Sequence, residues 1–286
     1  MSESRHNPDQ LLKEIQADEE NRNKGHLKIF FGYAAGVGKT YAMLEAAHME
    51  KQQGIDVVAG YVEPHARPKT AALLNGLEVL PTREVFYNGM MLDEFDIGMA
   101  LKRKPQLILV DELAHTNAEG CRHAKRYQDI KELLNAGIDV YTTVNVQHIE
   151  SLCDTVASIT EIVVRERIPD SIFDNADQVE LIDIEPQDLI NRLNTGNVYR
   201  QTQEKQAVEN FFTIENLTAL REISLRRCAD RVNILTENTR IKNHGNYHTG
   251  EHILVCLSSS PSNAKIIRTA AKMASAFKGE FTALFV

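Results

Sequence analysis

The chain has 286 residues, enough for one large domain or two small ones. Its 43% hydrophobic and 25% charged content is that of a soluble globular protein, and it holds no run of about 18 apolar residues, so no membrane span is expected. A net charge of −8 argues against a nucleic-acid binder, and four scattered cysteines (Cys121, Cys153, Cys228, Cys256) argue against a metal or disulfide framework. With no apolar core at the N-terminus to act as a secretion signal, the expected location is cytoplasmic.

In chain order, residues 1–23 read as a charge-rich lead-in, with Leu11, Leu12 and Ile15 spaced for a short helix. From Leu27 the pattern alternates strand and helix, predicting an α/β domain over 24–200 with a mainly parallel sheet flanked by helices. Strands are expected at 27–32, 56–62, 83–87, 106–111 and 138–145, with two more at 161–165 and 179–183 extending the sheet. Helices are expected near 39–53, 69–76, 91–103, 123–136 and 147–157. Gly54, Gly76 and Pro105 supply stop signals, and Pro169 and Pro186 punctuate later loops. The basic clusters at 102–104 and 122–126 are short and interleaved with acids, so they read as solvated faces.

Residues 201–242 form a helical segment with a break near Phe211-Phe212-Thr213, its packed side drawn from Leu217, Leu220, Cys228, Val232 and Leu235. A polar linker spans 243–251. Strand 252–257, helix 262–277 and strand 281–286 make one β-α-β unit over 252–286. Such a unit leaves its faces uncovered, so this second domain is expected to be incomplete.

The chemistry is concentrated in residues 32–40, Gly-Tyr-Ala-Ala-Gly-Val-Gly-Lys-Thr, lying between an apolar strand and a helix. This reads as a P-loop. Glycines let backbone N–H groups turn toward phosphate, lysine reaches the β- and γ-phosphates, and a hydroxyl helps hold Mg²⁺. Gly32, Gly36, Val37, Gly38, Lys39 and Thr40 are therefore the nucleotide-binding candidates. The usual spacing places the first glycine at position 33, which is Tyr33 here; the glycine stands one residue earlier. Leu107-Ile-Leu-Val-Asp-Glu112 is an apolar strand ending in two acids. Asp111 with Thr40 is the Mg²⁺ candidate, and Glu112 the candidate base for an attacking water. Polar groups also gather after other strands: 63–67 with Arg67, 115–117 with His115, and 145–148 with Asn145, Gln147 and His148. Arg67 or Arg122 is expected to approach a γ-phosphate.

Four stretches, 32–44, Val-Asp-Glu-Leu-Ala-His-Thr-Asn (110–117), Arg-Tyr-Gln-Asp-Ile (126–130) and 137–152, resemble the N-terminal cytoplasmic region of the KdpD family. These are potassium- and turgor-responsive sensor histidine kinases controlling a high-affinity potassium-pumping ATPase. The resemblance runs through 219–222 and 225–232 and covers roughly 24–286; the early glycine is usual in that family. It implies an ATP-binding regulatory domain with Mg²⁺, followed by a universal-stress-protein-like domain. One branch binds cyclic di-AMP through a Ser-x-Ser pair, a twenty-residue gap and Phe-Thr-Ala-x-Tyr. Here Ser258 and Ser260 are followed by twenty residues and then Phe281, Thr282, Ala283 and Phe285, with phenylalanine in place of the final tyrosine. Family members continue into membrane helices and a kinase core, which are the implied partners. This chain carries neither, so it is not expected to autophosphorylate by itself. The competing readings are a standalone P-loop ATPase or small-molecule kinase using Glu112 or His115 as base, and a cyclic di-AMP receptor.

Overall fold

The structure is a computed structural model that describes residues 24–63, 68–87, 89–195, 211–243, 252–258, 263–276 and 280–286. The lead-in at 1–23 with its expected short helix, the first part of the segment at 201–242 and nearly all of the linker at 243–251 lie outside these residues. So do Arg67 and Ser260.

Six strands form the main sheet: β1 (Leu27–Gly32), β2 (Val57–Tyr61), β3 (Glu78–Val79), β6 (Leu107–Val110), β7 (Asp139–Asn145) and β8 (Gln178–Leu181). Every pairing is parallel, in the order β3-β2-β6-β7-β1-β8. The near-continuous apolar sequences of β1, β2 and β6 follow from burial on both faces, the rule for parallel sheets. Helices α1 (Lys39–Gln52), α2 (Pro68–Ala72), α3 (Ile97–Arg103), α4 (Arg126–Asn135), α5 (Cys153–Thr160), α6 (Asp170–Asp174) and α7 (Pro186–Thr195) connect or follow these strands. On the α1 side, Phe30, Met43, Leu44, Ala47, Val57, Ala59, Leu107 and Leu109 share one buried cluster, which fixes α1 on the sheet. This is the predicted α/β architecture.

Four sequence expectations change. Residues 83–87 are a strand, but not of the main sheet. β4 (Arg83–Tyr87) pairs antiparallel with β5 (Met90–Glu94), so the helix expected at 91–103 begins only at Ile97. Asp96 sets that start by accepting a hydrogen bond from the Met99 amide at 3.0 Å. The strand expected at 161–165 is absent: Glu161, at φ 59°, ends α5 and an irregular segment follows. The helix expected from 147 begins as two 3₁₀ turns, Val146–His148 and Glu150–Leu152, before α5. Pro186 opens α7 instead of marking a loop; at the first helical position its missing N–H costs nothing.

The chain divides into two compact units, Met1–Leu225 and Arg226–Val286. The boundary falls within a long helix, α8 (Ile214–Asn243). Leu217 and Leu220 of its expected apolar stripe are buried, as is Ser224 in the same row. Val232 and Leu235 are exposed, because Val232 turns away from that row and burial ends before Leu235. In the second unit, β9 (His252–Leu257) and β10 (Glu280–Phe285) pair in parallel, with α9 (Asn263–Ala276) between them in sequence. This is the predicted β-α-β unit, and Leu254, Leu284 and Phe285 stand exposed on it. Among the described residues no helix is long and apolar enough to cross a membrane.

Candidate functional site

Ligand sites of open α/β sheets form beyond the carboxyl ends of the strands. Here β1, β6 and β7 deliver Gly32, Asp111 and Asn145 to that edge, with β7 lying between the strands that lead into the glycine-rich loop and the two acids.

The loop from 33 to 38 turns through left-handed backbone at Gly36 (φ 95°) and Gly38 (φ 115°), a conformation glycine adopts without strain. Gly38 leads into α1, whose first residue, Lys39, is 8% exposed; its Nζ donates to the Ala34 carbonyl at 3.1 Å. The early glycine has a steric reason. A Cβ at Gly32 would lie 2.6 Å from Val37 Cγ2 and 3.2 Å from Lys39 Cδ. The loop folds back over the end of its own strand, and only a bare Cα fits beneath it. Tyr33, at the position where glycine is usual, is wholly buried and its hydroxyl donates to the Ile184 carbonyl at 3.1 Å. Burial, with Asp183 nearby, pushes its pKa up to about 12.

Thr40 Oγ1 donates to Asp111 Oδ2 at 3.0 Å. The other carboxylate oxygen accepts from Thr143 Oγ1 of β7 and from the Glu112 amide at 3.0 Å. The candidate metal residues Thr40 and Asp111 are thus brought into direct contact, with Thr143 orienting the carboxylate from the intervening strand. Glu112 follows at φ 58°, left-handed for a residue with a Cβ, where the chain leaves β6.

Gly32 and Asn145 are register partners, so Asn145 faces the same side of the sheet as the Lys39 stem, one alternation beyond Thr143. Asn145 Oδ1 and, just beyond it, Gln147 Oε1 are buried without a hydrogen-bond partner. Buried polar groups are rarely left so, and a polar ligand at this edge would complete the bonding of Asn145. Burial holds the His148 imidazole below the usual range, opposed by the bond to the Glu166 carbonyl at 2.8 Å.

Behind Asp111 lies a network that sequence reading did not anticipate. Arg126 is fully buried, donates to the Asp111 carbonyl at 3.3 Å and to Glu94 Oε2 at 3.1 Å, and lies 4.1 Å over the Tyr61 ring. Glu94, at the end of the β4–β5 hairpin, also meets His115 Nε2 at 3.1 Å and accepts from the Ala118 amide at 2.8 Å. Burial pushes the Glu94 carboxyl up, but His115, the Ala118 amide and Arg126 outweigh it and hold it below the usual range. His115, offered above as an alternative base, is thus a partner of Glu94. A buried arginine inside a basic cluster looks like a solvated face in sequence; Gln128, which accepts from the Lys125 amide, was the visible sign of a helix start there.

Arg122 pairs with Glu132 and lines a cavity with Arg83, Phe95 and Asp129. Among the described residues, Arg192 of α7 lies beside the glycine-rich loop, its Nη1 4.0 Å from where a Cβ on Gly38 would be. In the second unit, Phe285 is in register with Leu257, next to Ser258, while Phe281 pairs with Ile253 and Thr282 with Leu254. β10 therefore brings Phe285 beside Ser258 and carries Phe281 to the far end of the strand, roughly 16 Å away at about 3.3 Å per residue. Thr282 Oγ1 meets His252 Nε2 at 2.8 Å, and Ala283 faces the same side as the two phenylalanines.

Residues 23–232 match the KdpD family, described as the osmosensitive K⁺ channel His kinase sensor domain. A sensor protein KdpD of Clostridium acetobutylicum is 58% identical over 285 residues, covering 99% of this chain and 32% of its own length. The sensor protein KdpD of Escherichia coli is 50% identical over 287 residues, covering 99% and 31%. A putative sensor protein KdpD of Synechocystis is 47% identical over 263 residues, covering 92% and 70%. The chain thus spans about a third of the length of the first two relatives. On these matches, the chain belongs to the KdpD sensor-domain family.

Proposed function

We propose that this chain is the ATP-binding regulatory region of a potassium-responsive sensor histidine kinase, with Mg–ATP held at the P-loop edge of the sheet. The observation that carries the reading is the joining of Thr40 to Asp111 at 3.0 Å beside a buried Lys39. A hydroxyl and a carboxylate in contact are the donor set Mg²⁺ uses in P-loop proteins, with the remaining positions left to water and phosphate. Lys39 and the amides of Gly36 to Thr40 would hold the phosphates; Thr40 and Asp111 would hold the metal. The bound metal would neutralise phosphate charge. The unpartnered amide oxygens of Asn145 and Gln147 fit the same reading, since water held around a phosphate and its metal would donate to them.

In this reading the nucleotide shifts a conformational equilibrium, and α8 passes the shift to the membrane and kinase portions of the sensor. Glu112 stands next to Asp111 as the base for slow hydrolysis, a secondary role. Metal dependence tests the site. Mg–ATP should bind Thr40→Val more weakly than wild type, and removing Mg²⁺ with a chelator should narrow that difference. Equal affinity of the two proteins in the presence of Mg²⁺ would remove Thr40 from the site.

A further inference from the structure

Residues 182–195 touch the P-loop on one side and the long helix on the other. The segment leaves β8 in extended form, so alternate residues face opposite ways. Ile182 and Ile184 meet the P-loop: the Ile182 amide donates to the Phe31 carbonyl at 2.7 Å, and the Ile184 carbonyl accepts from Tyr33. A Cβ on Gly38 would lie 4.0 Å from both Ile182 Cγ2 and Arg192 Nη1. Asp183 and Glu185 meet α8. Arg221 donates from Nε to Asp183 Oδ1 at 2.8 Å, from Nη2 to Asp183 Oδ2 at 2.7 Å, and from Nη1 to Glu185 Oε2 at 2.7 Å. These bonds raise the Arg221 pKa further, so the clamp stays charged at any physiological pH.

We propose that Arg192 contacts the phosphates of the bound nucleotide, and that the segment 182–195 carrying it reports P-loop occupancy to α8 through the Arg221 clamp. The proposal rests on the nucleotide reading above. Its chemistry is that of a planar, permanently charged fork suited to phosphate oxygens, carried by an exposed side chain beside the loop glycine that precedes Lys39. A phosphate that draws Arg192 would tighten α7 on the loop. Because Tyr33 and Arg221 grip adjacent residues of one extended strap, movement of the strap on the loop side is movement of the carboxylates that hold α8. Sub-ångström shifts transmitted through packed, hydrogen-bonded elements are a common route for switching.

The test uses the full 286-residue chain. Mg–ATP and Mg–ADP are titrated calorimetrically into wild type, Lys39→Ala, Arg192→Gln, Arg192→Lys and Arg221→Gln, and amide hydrogen exchange is followed with and without Mg–ATP. Loss of a charged hydrogen-bond donor predicts that Arg192→Gln weakens Mg–ATP roughly 10- to 100-fold. Mg–ADP should weaken less, and Arg192→Lys should fall between. In wild type, nucleotide should slow exchange in 32–40, 182–195 and 214–225. In Arg221→Gln, protection should persist in the first two segments and vanish from the third. If Lys39→Ala abolishes binding while Arg192→Gln binds as wild type does, the nucleotide reading stands and this proposal falls. Protection confined to 32–40 in wild type would overturn the reporting role. No binding by wild type would overturn both. Thermal midpoints of the ligand-free proteins identify a variant that has lost its fold, and Arg192→Lys, which keeps stem and charge, then decides.

Discussion

Substituting Gly32 by alanine probes the steric explanation of the displaced glycine. The added methyl would lie 2.6 Å from Val37 Cγ2 and 3.2 and 3.3 Å from Lys39 Cδ and Cγ. Comfortable carbon–carbon contact begins near 3.5 Å, so Val37 must retreat by about 1 Å. It cannot do so freely: Val37 is 1% exposed, and a β-branched side chain has little rotamer freedom. Overpacking of this kind typically costs about 1–3 kcal/mol. Displacing the Lys39 stem should also weaken Mg–ATP, at about tenfold for each 1.4 kcal/mol lost from binding. The companion change Val37→Ala removes the obstructing methyl. Alone it should cost roughly 1–2 kcal/mol of buried apolar contact. In the double variant the alanine methyl occupies part of that space, so the two penalties should not add, and the cycle should show a favourable coupling of about 1 kcal/mol or more. Urea unfolding of the four proteins and Mg–ATP titration of each supply the measurements. Simple additivity, or a Gly32→Ala protein as stable and as tight-binding as wild type, would refute the steric argument.

Three further predictions concern the residues around the loop. Arg126→Met should destabilise the first unit by about 3–5 kcal/mol, because Glu94, itself 3% exposed, loses a buried partner. That corresponds to a fall of roughly 10 °C in Tm for a unit of this size; the double variant Glu94→Leu/Arg126→Met should regain much of it, and a cost for Arg126→Met under about 1 kcal/mol would contradict the network. His148 predicts an acid-side loss of stability: with the folded pKa below the usual 6.5, its contribution is complete above pH 6.5 and is lost as pH falls toward the folded value, where the unfolded chain binds more protons. Denaturant midpoints between pH 7.5 and about 5 should therefore fall less steeply for His148→Gln than for wild type, and parallel curves would remove His148 as the cause. Glu112→Gln should slow phosphate release while leaving Mg–ATP affinity nearly unchanged; a large loss of affinity would instead make Glu112 part of the binding set.

The main sheet was legible because its strands are short apolar runs separated by helices with visible stops, and β1, β9 and the start of α1 fall at or within a residue of their predicted bounds. The contact of Thr40 with Asp111 was legible because the glycine-rich pattern and the acid-tipped strand restrict residue type and spacing. The hairpin was missed although Asn88-Gly89, a strong hairpin signal, stands between its strands, since Met90-Met91-Leu92 equally suits a helix. Local periodicity also could not reveal that Arg126 is buried, because that depends on Glu94 and Tyr61, which arrive from 32 and 65 residues away along the chain. For the same reason Arg192 escaped notice: α7 reaches Gly38 only when β8 is placed beside β1 at the sheet edge.

The central claim is that Lys39 anchors a nucleotide in a regulatory P-loop, and calorimetric titration of Mg–ATP into wild type and Lys39→Ala tests it most directly. Lys39 is buried against its own loop, and loss of a charged donor to phosphate predicts at least about a tenfold loss of affinity in a protein that remains folded. Equal affinities, or no binding by wild type at all, would contradict the account.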